Sequence, residues 1–310
     1  MNKPKTPKKV STSKKTAAPK GLDKYAMKPG SLTEISSTFE RMRFADSRRE
    51  YSALVAGEVG APTVAVFHGV TGNKFDMSAL VAELVSAGRR VVAFDLPGHG
   101  EASKELFDQF DELGQWMASA LKASGEDFEV IMSNSFGSGI TYNYLSQGLL
   151  QDNMRVVLGC PTPKIAAKAY VLNYLGNLVS EELANDVYSS ELLIKVRVET
   201  LQQKKGRQYK NWMFESEYYK TSWISAKATT NMTELFLQEK PYSAVLAESV
   251  QKRVTVLAGD RDNAVTKDAM KYLRELMPNS EFRTAPGAGH LLHFEAISEV
   301  VSAVVSASRL

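Results

Sequence analysis

Apolar residues fall along the chain in two alternating rhythms. Short uninterrupted runs at 63–68 (TVAVFH), 90–95 (RVVAFD), 128–132, 155–158 and 254–258 (VTVLA) have the length and β-branched content of strands buried on both faces. Between them, apolar positions recur at helical spacing: 77–87 carries Leu80, Leu84 and Val85, and similar stretches lie at 106–121 and 268–277. Residues 51–57 (YSALVAG) predict an earlier strand, and 281–284 a last one leading into GAGH. Repeated strand, helix, strand units predict an α/β fold: a mostly parallel, doubly wound sheet covered on both faces. There is no internal repeat.

The rhythm stops between 161 and 250. That segment has helix-like apolar spacing, as in KIAAKAYVLNYLGNLVSEEL, and concentrates bulky side chains such as Tyr170, Tyr174, Tyr188, Trp212, Met213 and Phe214. It is too long and too apolar for an ordinary loop, so it predicts a mostly helical cap inserted between two core strands. The expected organisation is a disordered Lys-rich arm at 1–30, a first part of the core at 31–160, the cap at 161–250 and a second part of the core at 251–310.

Composition narrows the classes. With 310 residues and 44% hydrophobic content the chain can bury a substantial core. No stretch approaches the roughly 18 consecutive apolar residues of a membrane span, and the N-terminus lacks the apolar segment of a secretory signal. The single cysteine, Cys160, excludes an internal disulfide framework and fits a reducing compartment, so a cytoplasmic location is expected. Charge is unevenly placed. Residues 1–28 hold nine Lys against Asp23, a net +8 that leaves −5 for the rest of a chain whose total is +3. Such an arm can aid solubility, or tether the body weakly to an anionic partner such as nucleic acid or an acidic protein surface.

The candidate chemistry begins at VIMSNSFGSG, residues 130–139, where a strand runs into small residues. A Ser on a tight turn between strand and helix has its hydroxyl thrust out above the sheet, and the crowded turn needs small neighbours. The usual pattern is Gly-x-Ser-x-Gly; here it is Ser133-Asn134-Ser135-Phe136-Gly137, with Ser133 a departure at the first position. Downstream, Gly259-Asp260-Arg261-Asp262 follows one strand and Gly287-Ala288-Gly289-His290 the next, so an acid and then a His come after the Ser. Upstream, His68-Gly69-Val70-Thr71-Gly72-Asn73 follows a strand, and FDLPGHG closes another at 94–100.

Together these motifs resemble the α/β-hydrolase fold family over about 63–295, with the cap matching in position and length. The resemblance implies Ser135 as nucleophile, His290 as base, and Asp262 as the acid that orients the base, with Asp260 the second candidate acid and otherwise a turn residue. A Ser hydroxyl needs such a base, and imidazole titrates near neutrality. The backbone N–H groups of Val70 and Phe136 are the implied oxyanion donors. The implied activity is hydrolysis of a carboxylic ester or thioester with an apolar acyl or aryl group, through an acyl-enzyme. Carbon–carbon bond hydrolysis of ring-cleavage products, whose elbows Asn134-Ser135-Phe136-Gly137 is similar to, and acyl transfer are alternatives. So is a catalytically silent scaffold that binds a partner. A Ser at the elbow argues against dehalogenase or epoxide hydrolase chemistry.

The remaining suggestive residues have plainer roles. His68 and His99 sit in turns where the family uses His structurally, and His293 lies one helical turn beyond His290. Cys160 is expected to be a small core residue. Gly69 to Lys74 lacks the four residues that a Walker loop has between its glycines. No Cys or His pair has zinc spacing, so neither metal nor cofactor is expected. The acids at 108–112 suit a solvated helix face.

Overall fold

The computed structural model describes residues 8–9, 26, 28–163, 190–204, 206–223 and 225–308. Strands β1 (Lys8–Lys9), β2 (Glu40–Ala45), β3 (Glu50–Ala56), β4 (Thr63–Phe67), β5 (Arg90–Phe94), β6 (Phe128–Asn134), β7 (Arg155–Gly159), β8 (Val254–Gly259) and β9 (Glu281–Ala285) form one sheet in the order β1-β2-β3-β5-β4-β6-β7-β8-β9. From β5 to β9 every pairing is parallel; β1, β2 and β3 close one edge antiparallel. The fold is therefore the mostly parallel α/β sheet that the apolar runs predict. Of the Lys-rich arm, only Lys8 and Lys9 up to residue 25 are among the described residues.

Helices α1 (Leu32–Ser37), α2 (Ser78–Ser86), α3 (Asp111–Ser124) and α4 (Phe136–Ser146) precede β7. After it come α5 (Glu191–Leu201), α6 (Arg207–Trp223), α7 (Ala226–Glu239), α8 (Glu248–Gln251), α9 (Lys267–Leu276), α10 (Leu292–Glu295) and α11 (Ile297–Ser308). Every residue of β4 is buried, and alternate side chains divide between the two faces. Ala65 and Phe67 join Trp116 and Ile140 in one core, while Val64 and Val66 join Leu80, Leu84 and Val300 in the other. Burying such a side chain stabilises the fold by about 1.5–3 kcal/mol. A two-sided core of this kind explains why these strands are continuous apolar runs.

β2 and α1 are not evident in the apolar pattern. β2 reads ERMRFA, with only Phe44 buried, because it lies near the antiparallel edge. α1 is six residues long and owes its place to a tertiary contact: Glu215 on α6 accepts from the Leu32 and Thr33 amides at 2.7 and 2.8 Å. Those amides are among the donors that a helix start leaves unpaired.

The segment between β7 and β8 holds α5, α6 and α7; Tyr170, Tyr174 and Tyr188 lie outside the described residues. α7 joins the main core through Met232, Leu235 and Phe236, the last ring 5.5 Å from Phe110 and 5.3 Å from Phe136. Val198 of α5 and Met213 of α6 instead build a smaller core with Leu32, Ala79 and Phe294. These packings put α5 and α6 beside the carboxyl ends of the central strands. Among the described residues no helix is long and apolar enough to cross a membrane.

Candidate active site

β6 ends at Asn134 and α4 begins at Phe136, so Ser135 alone makes the turn. Its φ of 54° and ψ of −115° are costly for a residue with a Cβ, and its N–H is held by the Gly159 carbonyl at 2.8 Å. Two residues on, a Cβ at Gly137 would lie 2.5 Å from the His68 carbonyl oxygen, so only glycine lets α4 approach β4 this closely. Ser133, the departure from the usual pattern, is fully buried. Its hydroxyl is satisfied by Ser138 Oγ at 3.3 Å, which itself donates to the Gly159 carbonyl at 2.8 Å. The extra oxygen is thus absorbed by a local network.

Ser135 Oγ lies 2.7 Å from His290 Nε2, and His290 Nδ1 lies 2.8 Å from Asp262 Oδ2. With the ring proton on Nδ1 donated to Asp262, Nε2 is free to accept from the Ser hydroxyl. The other carboxylate oxygen of Asp262 accepts from the Ala264 and Val265 amides at 2.7 and 3.0 Å. Burial opposes the ionisation of Asp262 most strongly, but the His290 hydrogen bond and charge, with help from Cys160 and the Val265 amide, outweigh it and hold the carboxyl below its usual range. Asp260 points elsewhere: its carboxylate accepts from the Gly287 amide at 2.7 Å and ties the β8 turn to the turn after β9.

The loop after β4 runs beside Ser135. A Cβ at Gly69 would sit 3.1 Å from that of Ser135. His68 is fully buried, accepts from the Leu96 amide through Nε2 at 2.9 Å, and its Nδ1 lies 2.8 Å from the Gly69 carbonyl. His99 accepts from the Thr71 amide at 3.3 Å, with its other ring nitrogen 2.8 Å from the Pro97 carbonyl. Both imidazoles therefore brace this loop against the one after β5. A buried charge cluster reinforces the brace. Lys74, fully buried, pairs with Asp95 and reaches Ser52 Oγ and Glu101 at 2.8 Å each.

A cavity of about 180 Å³ opens above Ser135 and His290. Its apolar wall includes Met77, Val198, Leu201, Met213, Leu291 and Phe294. Asp76, Ser216, Glu217 and His293 add polar groups. Val198, Leu201 and Met213 come from the segment at 161–250 where the sequence rhythm stops; the other wall residues carry no local signal, since each looks like any buried apolar residue. The acids at 108–112 keep to the expected role in part, Glu112 accepting from the Asp108 and Gln109 amides at the start of α3. Although no sequence spacing suggests a metal, the fold brings Cys160, Asp262 and His290 together, with potential ligand atoms all within 4.8 Å of one another. Asp262 and His290 are already bonded to each other, and burial followed by the Asp262 charge pushes the Cys160 thiol up, which disfavours the thiolate that a metal would need.

Comparison with known proteins bears on the fold and the family. The chain is 21% identical over 262 residues to the mouse (Mus musculus) sn-1-specific diacylglycerol lipase ABHD11, covering 82% of this chain and 83% of that protein. Among solved structures, the 2-hydroxy-6-oxo-6-phenylhexa-2,4-dienoate hydrolase of Rhodococcus sp. strain RHA1 is similar at a TM-score of 0.66 and 17% identity, covering 88% of this chain and 99% of that one. A thermophilic esterase from Thermogutta terrifontis is similar at a TM-score of 0.65 and 18% identity, covering 87% and 98%. At such identities these structures share the fold alone. The family model described as alpha/beta hydrolase fold matches residues 62–297, and with the sheet order and elbow above, the chain belongs to the α/β-hydrolase fold family.

Proposed function

We propose that the protein is a serine hydrolase cleaving a carboxylic ester or thioester with an apolar acyl or aryl group. One observation carries this: an unbroken hydrogen-bonded file from Ser135 through His290 to Asp262, opening into a mostly apolar cavity. Ser135 Oγ attacks the carbonyl carbon while His290 Nε2 takes its proton. The carbonyl oxygen becomes an oxyanion facing the Val70 and Phe136 amides, and the collapse of this intermediate breaks the bond to the leaving oxygen or sulfur, which receives the proton from His290. Water then repeats the sequence on the acyl-Ser135 ester, releasing the acid and restoring the hydroxyl. Asp262 stays ionised and holds the imidazole in the tautomer that accepts from Ser135.

The Lys-rich arm at 1–30 aids solubility or tethers the body weakly to an anionic partner, and the location is cytoplasmic. The test is covalent labelling of the full chain with a fluorophosphonate probe, with mass spectrometry to locate the adduct, followed by p-nitrophenyl esters of increasing acyl length. Labelling at Ser135 that disappears in Ser135→Ala, with turnover of these esters lost in the same variant, is the expected result. Well-folded protein that takes no label would point instead to a silent scaffold.

A further inference from the structure

We infer that Glu295 is a positioning residue that ties the end of α5 to the backbone carrying His290, so that one carboxylate sets both the base and one wall of the cavity. The inference rests on the role proposed above for His290. Glu295 is the last residue of α10 and is almost fully buried, 1% exposed. Its carboxylate is held by backbone donors from two separate segments. Oε2 accepts from the Gly289 amide at 2.6 Å, and Oε1 accepts from the Gln203 and Lys204 amides at 2.8 and 3.2 Å. A buried carboxylate needs such donors, and its hydrogen bonds are about twice as strong as those between neutral groups.

Both ends of this bridge have a local cause. Gln202, which ends α5, is extended at φ −70° and ψ 113°, so the two amides that follow it have left the helical ladder. The same segment adds a further link, the Lys204 ammonium donating to the Glu295 carbonyl at 2.9 Å. On the other side, Gly289 immediately precedes the base. A Cβ on Gly289 would lie 2.5 Å from Gln203 Cγ, so the exit of α5 rests directly on the His290 loop. The other side-chain contacts to this stretch of backbone are longer: Cys160 Sγ lies 3.8 Å from the Gly289 carbonyl, and Asn134 Nδ2 donates to the His290 carbonyl at 3.4 Å. Glu295 supplies the short one.

The two carboxylate oxygens therefore serve different parts of the reaction. Oε2 fixes the peptide before His290, whose ring must keep Nε2 at 2.7 Å from Ser135 Oγ while Nδ1 meets Asp262. Oε1 fixes where α5 ends, and Val198 and Leu201 of that helix line the cavity together with Phe294, the chain neighbour of Glu295. A substrate packed against α5 thus presses on the same carboxylate that holds the base. Displacement of a catalytic group by about 1 Å can cost about a hundredfold in rate, so this link couples the fit of the substrate to the alignment of the imidazole.

The experiment compares Glu295→Ala, Glu295→Gln and Lys204→Met in the full chain, with steady-state kinetics on a p-nitrophenyl ester well below each variant's melting temperature. Ala removes both links. Gln keeps one oxygen acceptor, so it can hold the Gly289 side or the α5 side and not both. Lys204→Met loosens the exit of α5 alone. Glu295→Ala should lower kcat by about tenfold or more and raise KM, Glu295→Gln should lower kcat/KM by an intermediate factor, and Lys204→Met should act on KM more than on kcat. The downfield proton resonance of His290 Nδ1–H, identified by its absence in His290→Ala, should shift in Glu295→Ala. A purely structural Glu295 would lower the melting temperature and leave these readouts alone. Wild-type kcat or an unmoved His290 resonance in folded Glu295→Ala would overturn the inference, as would an unchanged KM in Lys204→Met. If Glu295→Ala does not fold, Glu295→Gln decides, and kcat/KM within about twofold of wild type there overturns it as well. Fluorophosphonate labelling separates the two levels: no label at Ser135 in the wild type removes the hydrolase reading itself, whereas a labelled enzyme indifferent to Glu295 removes the positioning role alone.

Discussion

Asp260 and Asp262 sit two residues apart on one turn, and their partners differ. Asp262 meets the His290 ring, while Asp260 meets a backbone amide of Gly287. Asp262→Asn should therefore lower kcat by about 10⁴-fold, as loss of the orienting acid does in serine proteases, by stabilising the wrong imidazole tautomer. Asp260→Asn should cost less than about tenfold, felt as a small loss of stability. Kinetics of the two variants on one ester decide the matter, and a reversed order would exchange the two roles. The elbow residues behave similarly. Ser135→Ala should abolish turnover while leaving the melting temperature unchanged or raised, because alanine removes the hydroxyl and nothing that holds the turn. All three side chains of this file could be named from motif order, since strand-end loops of a parallel sheet open on one edge.

At the scale of elements, the loop after β4 depends on groups that carry no motif. Lys74 has no solvent exposure and three polar partners, so Lys74→Met would strand the Asp95 carboxylate in a buried site, while Glu101 keeps its ion pair with Arg41. Removing one member of such a cluster costs about 3–5 kcal/mol, measurable by chemical denaturation; a loss below about 1 kcal/mol would mean that the remaining carboxylates are solvated. Gly137→Ala tests the approach of α4 to β4. Its new Cβ, 2.5 Å from the His68 carbonyl, should destabilise by about 1–3 kcal/mol and displace the very loop that carries Val70. The elements that escaped prediction have a shared cause. β2 presents one buried residue to the core and α1 is too short to show a period, so in both cases neighbours rather than local pattern decide the conformation.

At the scale of the whole molecule, ionisation of buried acids links the fold to pH. Burial raises the pKa of Glu101, but the charges of Lys74 and Arg41 outweigh it and hold the group below its usual value; Asp262 is held down in the same direction by His290. A folded value below the unfolded one means that the unfolded chain binds more protons in the window between them, so stability rises with pH there. That stability is fully present above about pH 4, the unfolded range, and is lost as pH falls through the folded values. Melting temperature should drop steeply below about pH 4 in the wild type and less steeply in Asp262→Asn; parallel curves would show that the Asp262 interaction does not contribute.

The order of short apolar runs and helical stretches was enough to establish a parallel α/β sheet, because burial on both faces writes itself into each strand as an unbroken hydrophobic run. Motif order was enough to nominate Ser135, Asp262 and His290. Local pattern holds no record of contacts made at long range. Two things follow from packing alone: the cavity wall drawn from Met77, Val198, Met213 and Phe294, and the placement of Cys160 beside Asp262 and His290. Each depends on residues more than a hundred positions apart meeting where the sheet's loops converge, and a side chain's chemistry is visible in sequence while its neighbours are not.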